Sequence, residues 1–154
     1  MYLSRLTIEN FRCFGDRDQH LDLTLRRGLT ALVGENDSGK TAIIDAIRFA
    51  LGTTDQEWFR LNDTDFHEGA ASRQIRIVCW FQGLNARDKR AFLEYLTYGD
   101  EPDDLALIVN WTAIDTGERR RGRPYRRVEV VSGRDAVGPT FDVAARDLLR
   151  VTYM

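Results

Sequence analysis

The chain has 154 residues, 43% of them hydrophobic and 30% charged, a balance that fits a folded globular domain and excludes a disordered polar chain. Its 22 Lys plus Arg against 24 Asp plus Glu leave a net charge of −2, so no global positive field points to nucleic acid, and such a contact would need a local patch. No apolar run approaches the ~18 residues that cross a bilayer, and Met1 to Arg5 lacks the apolar core of a signal peptide; no membrane partner is expected, and the cytoplasm is the expected location.

Tyr2 to Ile8 alternates, with Leu3, Leu6 and Ile8 apolar, and predicts an opening strand. Asn10 to Gly15 reads as a turn anchored by Phe11 and Phe14. His20 to Leu25 alternates strictly and predicts a strand buried on one face. After a turn at Arg27-Gly28, the apolar run Leu29 to Val33 predicts a more deeply buried strand. It leads into Gly34-Glu35-Asn36-Asp37-Ser38-Gly39-Lys40-Thr41, which matches the phosphate-loop pattern G-x-x-x-x-G-K-[ST] at every fixed position.

The chemistry of that pattern is specific. Glycines let the backbone curl so that successive N–H groups converge on phosphate oxygens. The helix that follows adds its positive dipole end. The candidate nucleotide-binding residues are Gly34, Asn36, Asp37, Ser38, Gly39, Lys40 and Thr41. Lys40 would reach the β- and γ-phosphates of ATP, and the Thr41 hydroxyl would ligate Mg²⁺; these two are also the candidate catalytic residues. Lys40 and Lys89 are the only lysines in a chain otherwise biased to Arg. A compact ammonium fits the centre of a phosphate loop where a planar guanidinium does not. The competing reading, a chance match in an ordinary strand–turn–helix, is disfavoured by strand, loop and helix being in register.

A helix is predicted from Lys40 to Leu51, with Ile43, Ile44, Ile47 and Leu51 as its apolar face and Gly52 as its stop. Asp45, one turn after Thr41, could touch a magnesium shell, but a helix-surface carboxylate is the safer reading. Thr53 to Ser72 reads as a long polar loop with room for a short helical turn. Asp63, Asp65, His67 and Glu68 in it have metal-like spacing but no second His or Cys nearby, which favours a polar loop. Gln74 to Phe81 predicts a strand, and Asn85 caps a predicted helix over Ala86 to Tyr98. Gly99 to Asp104 is a turn, Leu105 to Ile114 a strand, Thr116 to Pro124 a polar hairpin tip, and Tyr125 to Val131 the returning strand. A short helix spans Phe141 to Leu149, and Val151 to Met154 starts a strand that is cut short. Cys13 and Cys79 share no C-x-x-C spacing and read as reduced core or near-core thiols.

Arg119, Arg120, Arg121, Arg123, Arg126 and Arg127 crowd the hairpin tip. They could track a DNA backbone. The competing reading is a solvated hairpin balanced by Asp100, Glu101, Asp103 and Asp104.

Leu6 to Phe14, the loop Gly34 to Thr41 and Ile44-Asp45-Ala46-Ile47 together resemble the start of the ABC-type ATPase heads of the RecF/SMC group. Asp65-Phe66-His67 and the ending Leu148 to Tyr153 more closely resemble the OLD (overcoming lysogenization defect) family of ATP-dependent nucleases, which are related to anti-phage ATPases. The resemblance implies an α/β fold with α+β character, in which a mixed sheet around the phosphate loop is flanked by an antiparallel sheet. It implies a role for Arg12 at the nucleotide phosphates, a head-to-head homodimer, and DNA as a partner of the full-length protein.

Further parts of that group are missing. Ala113-Ile114-Asp115-Thr116 is a poor Walker B strand, Val131-Ser132-Gly133-Arg134 a poor signature motif, and no Toprim-like acidic set is visible. Residues 1–154 are therefore expected to be an N-terminal lobe that stops before those motifs, with hydrolysis only in a completed, dimerised head. A RecF/SMC-type repair ATPase without a nuclease, a self-sufficient small P-loop kinase and a non-catalytic nucleotide-binding module are the rival readings.

Overall fold

The computed structural model describes residues 1–35, 38–53, 60–99 and 104–151. Six strands form one sheet in the order β2-β1-β3-β5-β4, with β6 also paired to β5, and every pairing is antiparallel. The strands are β1 (Tyr2–Glu9), β2 (Leu21–Thr24), β3 (Gln74–Gln82), β4 (Leu96–Tyr98), β5 (Leu105–Arg120) and β6 (Arg123–Ser132). The helices are α1 (Lys40–Leu51), α2 (Ala86–Ala91) and α3 (Val143–Leu149). This is the expected α/β class with an antiparallel sheet. The one parallel pairing among the described residues is an isolated bridge from Thr53 to Val151. Residues 152–154 of the expected last strand lie outside the described residues.

The core follows the two-residue period of β1, β3 and β5. Leu6 and Ile8 meet Cys79 and Ile77 across the first ladder, and Ile77 meets Trp111 across the next. All five side chains are buried. A bulge between Leu3 and Arg5 turns Ser4 inward, where its hydroxyl donates to the Trp80 carbonyl at 3.1 Å. Helix α1 crosses this face, and Phe49 sits edge-on to Phe11 (5.8 Å) and tilted against Trp111 (5.5 Å).

Several expectations need correction. The run Leu29–Val33 forms no strand; Leu29 is fully exposed and Val33 is 92% exposed. A buried strand needs a ladder neighbour, and β2 at the near edge pairs only with β1. The buried residues of α1 are Ala42, Asp45, Ala46, Arg48, Phe49, Ala50 and Leu51, not the isoleucines. Small alanines let the helix approach the sheet closely, while Ile43, Ile44 and Ile47 line an apolar groove with Leu3, Leu6 and Leu23. The helix expected to run to Tyr98 ends at Ala91; a single 3-10 turn, Leu93–Tyr95, follows, and Leu96–Tyr98 then pairs with Leu105–Leu107. Burial of Phe92 and Tyr95 takes precedence there over continuation of the helix. The hairpin turn is shorter than expected. It is Arg121-Gly122, with φ of +50° and +77°, as a two-residue turn of matching twist requires. Residues 54–59 of the long loop lie outside the described residues; its remainder holds one 3-10 turn, Asp63–Asp65.

Candidate nucleotide-binding site

The phosphate loop closes on Lys40. Its ammonium donates to the Gly34 carbonyl at 2.7 Å, to the Glu35 carbonyl, and to the Ser38 hydroxyl at 3.2 Å. Asn36 and Asp37, two of the expected loop residues, lie outside the described residues. Gly39 is the N-cap of α1, so no side chain caps the first amides, and no acidic residue stands in the first turn. The positive end of α1 is therefore left to whatever enters the loop.

The two outer glycines differ in how tightly they are fixed. A Cβ on Gly34 would lie 2.7 Å from Ser38 Oγ. One on Gly39 would lie 2.9 Å from Cys13 Sγ and 3.0 Å from the Phe14 ring, at a φ of +85°. The donor set is an ammonium, uncapped amides and the exposed Thr41 hydroxyl, with no carboxylate in the first helical turn. It fits a polyphosphate with Mg²⁺ held by a hydroxyl oxygen.

The turn after β1 is wedged against this loop. Phe11 and Phe14 exchange backbone hydrogen bonds of 2.9 Å, which leaves Arg12 and Cys13 at the tip. Arg12 has a φ of +51°, a conformation that costs a residue with a Cβ about 1 kcal/mol. Neighbours hold it there. Its N–H donates to the Asp65 carbonyl at 2.9 Å, and its carbonyl accepts from His67 Nδ1 at 2.7 Å.

The Arg12 guanidinium is directed at two carboxylates. Nε donates to Asp65 at 2.9 Å and one terminal nitrogen to Asp45 at 2.5 Å. Burial works against the Arg12 cation, yet the hydrogen bonds to Asp65 and Asp45 outweigh it and raise its pKa above the ordinary value. The second Asp65 oxygen accepts from the Asn62 N–H at 2.8 Å, closing a capping box. Asp45 also takes Arg48 at 3.3 Å. It is thus a buried member of an ion network, not the surface carboxylate expected. The Asp63, Asp65, His67 and Glu68 cluster is largely committed elsewhere: Asp63 pairs with Arg126, and Asp65 and His67 hold Arg12. Sequence reasoning missed this holding role. The Asn62-x-x-Asp65 spacing of the capping box was the signal for it. Cys13 is exposed, whereas Cys79 is buried and its thiol is pushed up to about 12 by burial.

The arginine tip stands apart from the loop. Arg119, Arg120, Arg121 and Arg123 are all exposed, and Arg120 lies 3.5 Å over the Tyr125 ring. Arg126 is tied to the Leu61 carbonyl and Asp63, and Arg127 to Glu129. Of the acidic turn expected to balance the tip, residues 100–103 lie outside the described residues. Asp104 precedes the first residue of β5, while Arg119 and Arg120 end that strand, roughly 50 Å of extended chain away, too far for Asp104 to neutralise the tip.

A protein-family profile described as AAA domain matches residues 5–122. The chromosome partition protein Smc of Methanocaldococcus jannaschii is 26% identical over 97% of this chain. That of Bacillus subtilis (strain 168) is 44% identical over 77% of it. The chain spans only 13% and 9% of those relatives' lengths. A solved structure from work on ATP-driven dimerization and DNA-stimulated activation of SMC ATPases shares the fold, with a TM-score of 0.56 at 18% identity over 97% of this chain and 75% of that one. The chain belongs to the AAA domain family, as a P-loop ATPase lobe of the SMC/RecF-like, ABC type.

Proposed function

We propose that the chain binds Mg-ATP in the Gly34–Thr41 loop as the N-terminal lobe of a DNA-associated ATPase. The observation that carries this reading is the cradle itself: an uncapped α1 N-terminus, with Lys40 folded into the loop and Gly39 at a φ of +85° packed against Cys13 and Phe14. Lys40 and the loop amides would hold the β- and γ-phosphates and stabilise charge as it develops there. Thr41 would hold Mg²⁺, which when bound neutralises charge on the same oxygens. Arg12 immediately precedes Cys13 and Phe14, whose side chains pack beside Gly39, so it is the further candidate for the phosphates.

In this reading the water-activating carboxylate comes from a second lobe and the signature residues from a second copy. Two heads then close on the nucleotide as a homodimer, in the cytoplasm, with Arg119, Arg120, Arg121 and Arg123 against DNA. The Smc relatives favour a chromosome-maintenance ATPase. Asp65-Phe66-His67 supports the finer alternative, an OLD-type ATP-dependent nuclease in anti-phage defence. The test is steady-state hydrolysis by the 154-residue chain. Bound Mg-ATP without turnover supports an incomplete head; turnover abolished by Lys40→Ala would mean the chain carries its own catalytic carboxylate and would move a small P-loop kinase to first place.

A further inference from the structure

Strand β3 accompanies β5 only as far as Ile114, so beyond Asp115 the β5–β6 hairpin leaves the sheet as a two-stranded arm. Its root is held. The register slips from Asp115↔Arg126 to Arg119↔Pro124, a bulge that re-aims the strand. Within it Thr116 Oγ donates to the Tyr125 carbonyl at 2.8 Å, and Asp115 accepts from the Gly117 N–H at 3.0 Å. The steps from Arg126 out to Arg123 span roughly 10 Å, and the Arg121-Gly122 turn closes the end.

The arm carries cations on both faces. Thr116 to Pro124 holds four arginines and one carboxylate, Glu118, in a chain whose net charge is −2. Arg120 pairs with Arg123, which puts both side chains on one face together with Tyr125; Arg120 lies 3.5 Å over that ring. Arg119 pairs with Pro124 and so lies on the other face. Arg121, at a φ of +50°, stands at the end. All four arginines are exposed, and none has an ion pair among the described residues. Two of these placements disfavour the free arm. Arg120 and Arg123 are like charges directly opposite one another, and the position of Arg121 ordinarily falls to Asn, Asp or Gly. A polyanion relieves the repulsion.

The two-faced charge selects among polyanions. A flat anionic surface or a single strand meets one face of such an arm. Cations on both faces match two anionic walls with a gap between them. One sheet with its side chains is about 10 Å thick. The major groove of a B-form duplex is about 12 Å wide and about 8.5 Å deep, whereas the minor groove is about 6 Å wide. We propose that the arm enters the major groove of duplex DNA end-on. Arg121 then faces the base edges, Arg119 the phosphates of one wall, and Arg120 and Arg123 those of the other. Stacking on Tyr125 holds Arg120 ready for that contact. The proposal rests on the DNA reading given above and adds to it the form of the DNA and the groove.

The experiment is fluorescence anisotropy of a short labelled DNA duplex with the 154-residue chain. Arg119→Gln, Arg121→Gln and the pair Arg120→Gln with Arg123→Gln are compared with the parent after each is shown to melt like it. The pair should weaken binding about tenfold and Arg119→Gln about threefold, each with a shallower salt dependence. Methyl green, a major-groove ligand, should compete with the chain, and netropsin, a minor-groove ligand, should not. An RNA duplex of the same sequence, whose major groove is deep and narrow, should bind about tenfold more weakly or worse. Groove entry is overturned, and the DNA reading stands, if only one face of the arm matters, if single strand or RNA duplex binds as tightly as DNA duplex, or if netropsin competes and methyl green does not. If the parent binds no DNA, or no variant changes binding, the DNA reading falls with it.

Discussion

Gly39 is the residue on which two requirements converge. Its φ of +85° disfavours any side chain, and its missing Cβ leaves room for Cys13 and Phe14. Gly39→Ala is expected to destabilise the chain by about 1–2 kcal/mol and to weaken Mg-ATP binding by displacing the Arg12 turn. Urea unfolding alongside nucleotide titration checks both effects. Asp65→Asn keeps the shape but loses the charge that meets Arg12 and one of two acceptor oxygens, a loss of about 1.5–3 kcal/mol for a hydrogen bond to a charged group. A urea midpoint unchanged from the parent would remove Asp65 from the support of the Arg12 turn. The glycines and Lys40 were legible in the sequence because phosphate chemistry restricts residue type locally. Asp45 was not. Its burial depends on Arg12, 33 positions earlier, folding back over α1, a contact that helical periodicity does not encode.

At the scale of elements, the β5–β6 ribbon is held at its root by Asp115. The Gly117 N–H and then Arg73 keep its carboxyl below the ordinary value, against the opposing effect of burial. A lowered folded-state value means stabilisation present above the unfolded range near 4 and lost as pH falls through the folded value. Asp22, held by Arg5, and Asp88, held by the N-terminal ammonium, shift in the same direction. Stability should therefore fall below about pH 4, and Asp115→Asn should flatten that fall. Urea midpoints at pH 7 and below pH 4 for both chains measure it, and an equal fall in the two would contradict the assignment. Strand alternation in β1 and β3 was readable because one face of each is buried, Leu6 and Ile8 in the first and Ile75, Ile77, Cys79 and Phe81 in the second. The end of α2 was not, because Leu96-Thr97-Tyr98 becomes a strand only through its pairing with β5.

At the scale of the whole molecule, one antiparallel sheet carries α1 across its face and presents the phosphate loop at the start of that helix. The arginine ribbon extends from the same sheet. The apolar run Leu29–Val33 was misread as a strand because apolar composition signals burial, while a strand also needs a ladder partner. Among the described residues no helix is long and apolar enough to cross a membrane. A phosphate cradle centred on Lys40 should bind Mg-ATP in the Gly34–Thr41 loop. Isothermal titration of Mg-ATP into the 154-residue chain, beside Lys40→Ala, tests it most directly. Saturable one-site binding should weaken by tenfold or more in Lys40→Ala, and equal affinity in the two chains would overturn the cradle.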